Sequence, residues 1–213
     1  MSKKEEILRA AAALFANKGF KETSMAEVAA MTGTAGSNIF YHYKTKEDIF
    51  LAILKSAKEE LLHEFETFLG QHHFTDGLSM LEHIIAFYLN LAGTRQELFM
   101  LLHHRFPYEL AAVNPVCRGH LEAIYTCFAD LFEKAILLGQ ADGSIVQASA
   151  RKNALLVFAM VDGVVRFNTY QLYEAGALYE DLIGSCRRML QANPESKTGA
   201  QRAEEGLSLS EMV

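Results

Sequence analysis

Three helix starts lie within the first 48 residues, and each is written with the same device. Ser2 is followed three residues on by Glu5, Ser24 by Glu27 and Thr45 by Asp48. In such a capping box the hydroxyl accepts from a free backbone N–H of the first turn, while the carboxylate accepts from the cap residue's own N–H. The interval between the second and third boxes is divided by Thr32-Gly33-Thr34. One longer helix and two short ones must therefore pack against each other.

The apolar pattern agrees. Ile7, Leu8, Ala11, Leu14 and Phe15 form one face of an amphipathic helix that stops at Asn17-Lys18-Gly19. In the second helix Met25, Val28 and Ala29 point inward, and Gly33 supplies the tight turn. The third, from about Ala35 to Tyr43, buries Ile39 and either Phe40 or Tyr43. Its leading residues Ala35, Gly36, Ser37 and Asn38 are small or polar, as they must be if a helix is to approach the floor of the DNA major groove. The pattern predicts a helix-turn-helix reading head with Ser24, Thr34, Ala35, Gly36, Ser37, Asn38, Tyr41, His42 and Lys46 on its DNA face. Asn38 suits an adenine edge or a phosphate. Tyr41 and His42 suit phosphate oxygens at the helix end, as does Lys46 in the first turn of the next helix.

The phrases ILRAAAALFANKGF, TSMAEVAAMTG and NIFYHYKTKEDIF, spread over the first 55 residues, resemble the DNA-binding domain of TetR/AcrR-type transcriptional regulators. The resemblance implies a three-helix DNA-binding domain, an all-helical ligand-binding and dimerisation domain behind it, and repression relieved by a small molecule. Thr34, Gly36 and Phe40 depart from the commonest family pattern, where an apolar residue, a basic residue and a phosphate-contacting tyrosine are usual. Without a basic side chain at Gly36, specificity leans on Ser37, Asn38 and backbone amides, and Phe40 reads as core.

A net charge of −6 first argues against DNA as a partner, but its distribution reverses that. Residues 1–55 hold eight Lys and Arg against six Asp and Glu, a surplus of two, while the remainder holds 12 against 20. The positive field sits on the reading head and the acidic body points away from phosphates. The longest uncharged apolar run, Ala154 to Val161, is too short to span a bilayer, and no basic-then-apolar leader opens the chain. The expected compartment is the cytoplasm. Cys117, Cys127 and Cys186 show no metal spacing and read as reduced, buried thiols.

The fold class read from these patterns is all-α: a helix-turn-helix domain over 1–48, a helical ligand-binding and dimerisation domain over 49–192, and a polar, disordered tail over 193–213. A long fourth helix from Thr45 to about Leu69, with Ile49, Ile53, Leu54, Leu61, Phe65 and Phe68 inward, connects the two domains. A fifth ends near Gly93, and Thr94 with Glu97 suggests another capping box, opening a helix to His104. Pro107 reads as punctuation. Asn114-Pro115 starts a helix reaching about Gly139, and two more follow over about 148–174 and 178–190. The first of that pair is apolar on nearly every face, so it needs cover on both sides, and the two together are the expected homodimer interface.

Phe87, Met100, His103, His104, Tyr125, Phe128, Phe158, Asp162 and Arg166 fall on helices expected to converge on a pocket for a small hydrophobic ligand. Asp162 and Arg166, an i, i+4 acid and base amid apolar residues, fit a surface pair, a dimer-interface pair or a polar ligand anchor. No HExxH, Gly-rich phosphate loop or GxSxG turn is present, so no catalytic residue, metal or cofactor is expected. The remaining alternative is a helical adaptor whose head binds protein. For a DNA reader, the expected switch is a ligand-driven shift of the Thr45 to Leu69 helix.

Overall fold

A computed structural model describes residues 2–33 and 36–192, and of residues 36–38 the backbone alone. Thr34, Ala35, everything beyond the backbone at Gly36, Ser37 and Asn38, and the tail beyond residue 192 lie outside the described residues. Among these residues the chain forms α1 (Lys3–Lys18), α2 (Met25–Met31), α3 (Gly36–His42), α4 (Lys46–Gln71), α5 (Gly77–Thr94), α6 (Gln96–His103), α7 (Phe106–Val113), α8 (Pro115–Asp142), α9 (Ala150–Thr169) and α10 (Tyr179–Leu190), with a 3₁₀ turn at Ala175–Leu178.

The three capping boxes form as read, each with both reciprocal hydrogen bonds. A fourth tie joins the first two helices: Lys18 binds the cap carboxylate of Glu27, and together with Ser24 it holds that carboxyl down at about 2. Gly33 takes φ +58° between α2 and α3, a left-handed conformation that a side chain resists. The head packs around Ile7, Ala11, Phe15, Val28, Ile39, Tyr43 and Ile49, all buried.

Tyr43 is the aromatic that α3 turns into the core, and Phe40 is not: it is 49% exposed. The reason is helical phase. Tyr43 follows Ile39 by four positions and shares its face, whereas Phe40 stands about 100° away.

Behind the head, α4 carries its predicted stripe inward, with Ile49, Ile53, Leu54, Leu61, Phe65 and Phe68 all buried. α5, α8 and α9 pack around Tyr88, Phe99, Phe128 and Phe132, whose exposures are 1% or less. At the far end α5 begins against the end of α8 so closely that a Cβ on Gly77 would sit 2.0 Å from the Gly139 nitrogen. Small residues at both positions are what allow this crossing.

Three boundaries differ from expectation. Thr94 caps nothing, because its hydroxyl donates to Leu91 O at 3.1 Å while α5 continues through it. Pro107 is not a break but the second residue of α7, where the missing N–H costs no hydrogen bond. α9 ends at Thr169, short of the expected 174, and a turn with Gln171 at φ +53° leads to the 3₁₀ segment, after which α10 begins at Tyr179 beside its expected start. Finally, α9 buries only one face, through Ala150, Ala154, Val157, Val161 and Val165. Leu156 at 55% and Phe167 at 37% exposure stand uncovered on the other. None of the described helices is long and apolar enough to cross a membrane.

Candidate DNA interface and ligand cavity

On the head, α3 presents Phe40 and Tyr41 outward, Tyr41 at 78% exposure, with the His42 ring against Tyr41 edge to face at 5.1 Å. Ser24 is exposed as well, but its hydroxyl is engaged as the α2 cap, accepting from Glu27 N at 3.2 Å. These placements leave Tyr41 and His42 accessible where phosphate contacts are expected.

Lys46 is placed differently from that expectation. Its ammonium donates to Phe20 O at 2.5 Å, Thr23 O at 2.7 Å and Lys21 O at 3.3 Å, and lies 4.5 Å from the Phe20 ring centroid. An ammonium has three donors, and all three are committed to the α1–α2 loop. Lys46 therefore holds the head together instead of reaching a phosphate, while Lys44, exposed just before it, makes only a long 3.4 Å contact to Phe40 O.

In the body, the nine residues expected around one pocket are distributed over several places. Phe128 is buried at the aromatic centre, with Phe65, Tyr88 and Phe158 rings at 5.3, 4.7 and 5.6 Å. It fills the space that an occupant would need. Phe87 stacks on Phe68 at 4.3 Å beside the α4–α5 groove. Met100 lines a separate cleft between α6 and α9.

Asp162 collects a polar knot. Its Oδ1 accepts from Tyr88 OH at 2.7 Å and from His103 Nε2 at 3.1 Å, and Arg166 donates to His103 O at 3.0 Å. Asp162 and Arg166 each bind His103, which stands between them. Burial by itself raises the Asp162 carboxyl; the His103 and Tyr88 hydrogen bonds and the nearby Arg166 outweigh it and leave the group below its ordinary value. His103 Nδ1 is buried with no partner. His104 Nε2 donates to Ala16 O of α1 at 2.7 Å, tying the body to the head.

Of the nine, Tyr125 and Phe158 line one cavity together. It measures about 450 Å³ and lies between α7, α8 and α9, with Tyr108, Ala111, Ala112, Leu121 and Leu155 completing the apolar part of its wall. Tyr108 OH and Tyr125 OH are hydrogen-bonded across it at 2.5 Å, and burial followed by that bond pushes the Tyr125 phenol up. Arg151 on the rim is already held by Asp130 at 2.6 Å and Glu133 at 2.9 Å. Sequence reasoning missed Tyr108 and its neighbours because it read Pro107 as punctuation and placed no helix between His104 and Asn114. The apolar i, i+4 pair Phe106 and Leu110, which brackets that proline, was the available sign.

Residues 7–53 match the family described as bacterial regulatory proteins, tetR family. The chain is 39% identical to the transcriptional regulator QacR of Staphylococcus aureus over 54 residues, which span 25% of this chain and 29% of that protein. It is 27% identical to the transcriptional repressor BepR of Brucella suis over 168 residues, 75% of this chain and 77% of that protein. The fold is also that of a transcriptional regulator from Saccharomonospora viridis solved with choline, at a TM-score of 0.78 and 19% identity over 89% of this chain and 98% of that one. The head, over residues 7–53, thus matches the tetR-family DNA-binding domain, and with the all-helical body behind it the chain has the fold of the TetR-type transcriptional regulators it resembles.

Proposed function

We propose that the chain is a ligand-released repressor acting as a homodimer, its 1–48 head reading a palindromic operator and its 49–192 body holding a small hydrophobic ligand. The observation that carries this reading is the combination of an outward-facing α3 with an aromatic-walled cavity of about 450 Å³ one helix away from the head. Base reading falls to Ser37 and Asn38, and phosphate contacts to Tyr41, His42 and Lys44. The cavity's Tyr108, Tyr125 and Phe158 rings suit an apolar or aromatic occupant. A regulator of the same fold from Saccharomonospora viridis was solved in complex with choline, which supports a small-molecule ligand for this fold.

Dimerisation is supported by the uncovered α9 residues Leu156, Ala159 and Phe167, with half-buried Met160 and Gly163 between them, continued by Tyr179 and Met189 of α10. Leaving such a stripe in water is costly, and a second copy related by a two-fold axis buries it while setting two heads about 34–36 Å apart.

Selection of bound sequences from random DNA, followed by mass spectrometry of small molecules that co-purify with the protein, tests both halves. Operator DNA and ligand must each weaken the other by the same factor, typically about 5- to 150-fold. A ligand that binds equally well with and without operator refutes the release mechanism.

A further inference from the structure

No residue lining the α7–α8–α9 cavity belongs to α4. An occupant therefore cannot push the long connecting helix directly, and the expected shift of α4 needs an intermediary. We propose that α7 is that intermediary: it transmits occupancy of the cavity to the reading head by driving Phe106 against Phe20. The inference rests on the cavity being the effector site.

The geometry of α7 carries it. The helix is eight residues long, and its three faces meet three different surroundings. Pro107 and Leu110 are buried against α8, where the Cys117 thiol reaches Pro107 O at 3.6 Å. Tyr108, Ala111 and Ala112 line the cavity.

Phe106 and Glu109 face the head. The Phe106 ring stacks on Phe20 of the α1–α2 loop at 3.6 Å and 9°, and meets Phe50 of α4 edge-on at 5.0 Å. Glu109 pairs with Lys21 at 3.3 Å. At about 100° per residue, Phe106 and Tyr108 point to nearly opposite sides of the helix, so a displacement entering through Tyr108 leaves through Phe106.

What lies beyond Phe106 is positioned to respond. Phe20 packs on Phe15 at 5.1 Å and Phe50 at 5.7 Å, and its own carbonyl is one of the three that hold Lys46 at the start of α4. Moving Phe20 thus disturbs the loop that fixes α2 and the entry of α4 together. On the cavity side the Tyr108–Tyr125 hydrogen bond holds α7 in its present position, and an occupant that separates the two phenols frees it. α7 lacks a side-chain N-cap, and a helix this short has little stability of its own, so it can move as a unit.

A covalent surrogate for the ligand tests the route. An Ala112→Cys variant places a thiol on the cavity wall, and N-phenylmaleimide then fills the space. The native thiols compete poorly: Cys117 and Cys186 are buried, Cys127 is half-buried, and burial pushes all three up to about 11. Operator affinity is measured by fluorescence anisotropy on the selected DNA, with melting curves confirming that each variant is folded. Labelled Ala112→Cys should lose affinity about tenfold or more, within the usual range of allosteric coupling. Labelled Val113→Cys, on an exposed position outside the cavity, should not.

Adding Phe106→Leu, or independently Phe20→Leu, should abolish most of that loss while the label remains in place. An undiminished loss in both would overturn the α7 route but leave the cavity as effector site. No loss in labelled Ala112→Cys alone would overturn the cavity assignment and the route with it.

Discussion

Lys46 offers the sharpest separation between a structural and a DNA-contacting role. Replacing it by Ala removes an ammonium with carbonyl oxygens at 2.5 and 2.7 Å, a longer one at 3.3 Å, and the face of Phe20 at 4.5 Å. A hydrogen bond to a charged group contributes about 1.5–3 kcal/mol, and a cation over an exposed ring about 0.5–1 kcal/mol. The three carbonyls share one ammonium, and the exposed Lys21 carbonyl regains water when the side chain is gone, so the contributions do not sum. A net loss of about 2–3 kcal/mol follows. For a chain of this length each kcal/mol moves the melting temperature by about 2–4 °C, so Lys46→Ala should melt roughly 4–12 °C lower.

The assay is thermal unfolding followed by circular dichroism at 222 nm without DNA, beside the salt dependence of operator binding. Lys44→Ala is the counterpart: stability within about 0.5 kcal/mol of the parent, and a salt slope reduced by about 0.9 for the phosphate it no longer neutralises. If Lys46→Ala melted with the parent and instead lowered the salt slope, the carbonyl assignment would be wrong.

Four further outcomes can be checked directly. Gly77→Ala should destabilise the body by about 1–3 kcal/mol in urea unfolding, because its Cβ has the Gly139 backbone at 2.0 Å and no flexible side chain to push aside. Asp162→Asn should lower stability at neutral pH. Because the carboxyl lies below its ordinary value in the fold, its contribution is complete above the usual carboxylate range and fades as the pH falls below about 4, where parent and variant should converge. The native thiols, buried or half-buried and pushed up to about 11, should react with a disulfide reagent at pH 8 far more slowly in the folded protein than in denaturant. Leu156→Glu combined with Phe167→Glu should leave the melting profile of the body cooperative but give a monomer in sedimentation. A variant pair that remains dimeric would move the interface away from the uncovered α9 face.

The head was legible because its determinants are local. A capping box needs only four consecutive residues, a tight turn needs Gly33, and an apolar face needs a period of 3.6, so boundaries such as Lys3, Met25 and Lys46 follow from short stretches of chain. The same locality explains why the α4 stripe and the Asn114-Pro115 start of α8 appear where expected. Where a local rule had a tertiary competitor it failed. Thr94 matches a cap pattern, yet α5 continues through it, and Pro107 marks the first turn of α7 instead of a break.

The sequence by itself determined that the chain is helical, that three helices pack into a head at its start, and that aromatic side chains fill the body. Only the tertiary structure decided which of those aromatics close on each other and which leave a space. Phe128 and Tyr88 occupy the centre, so the cavity is displaced toward Tyr108, Tyr125 and Phe158, and Asp162 is drawn into a knot with His103. The roles of Lys46 and His104 were decided the same way, because a side chain's hydrogen bonds go to whatever carbonyls the fold brings near: Phe20 and Thr23 in one case, Ala16 in the other. Spacing along a chain encodes which face of a helix is apolar. It does not encode which distant face will meet it, and that meeting sets both the cavity and the α7 contact with the head.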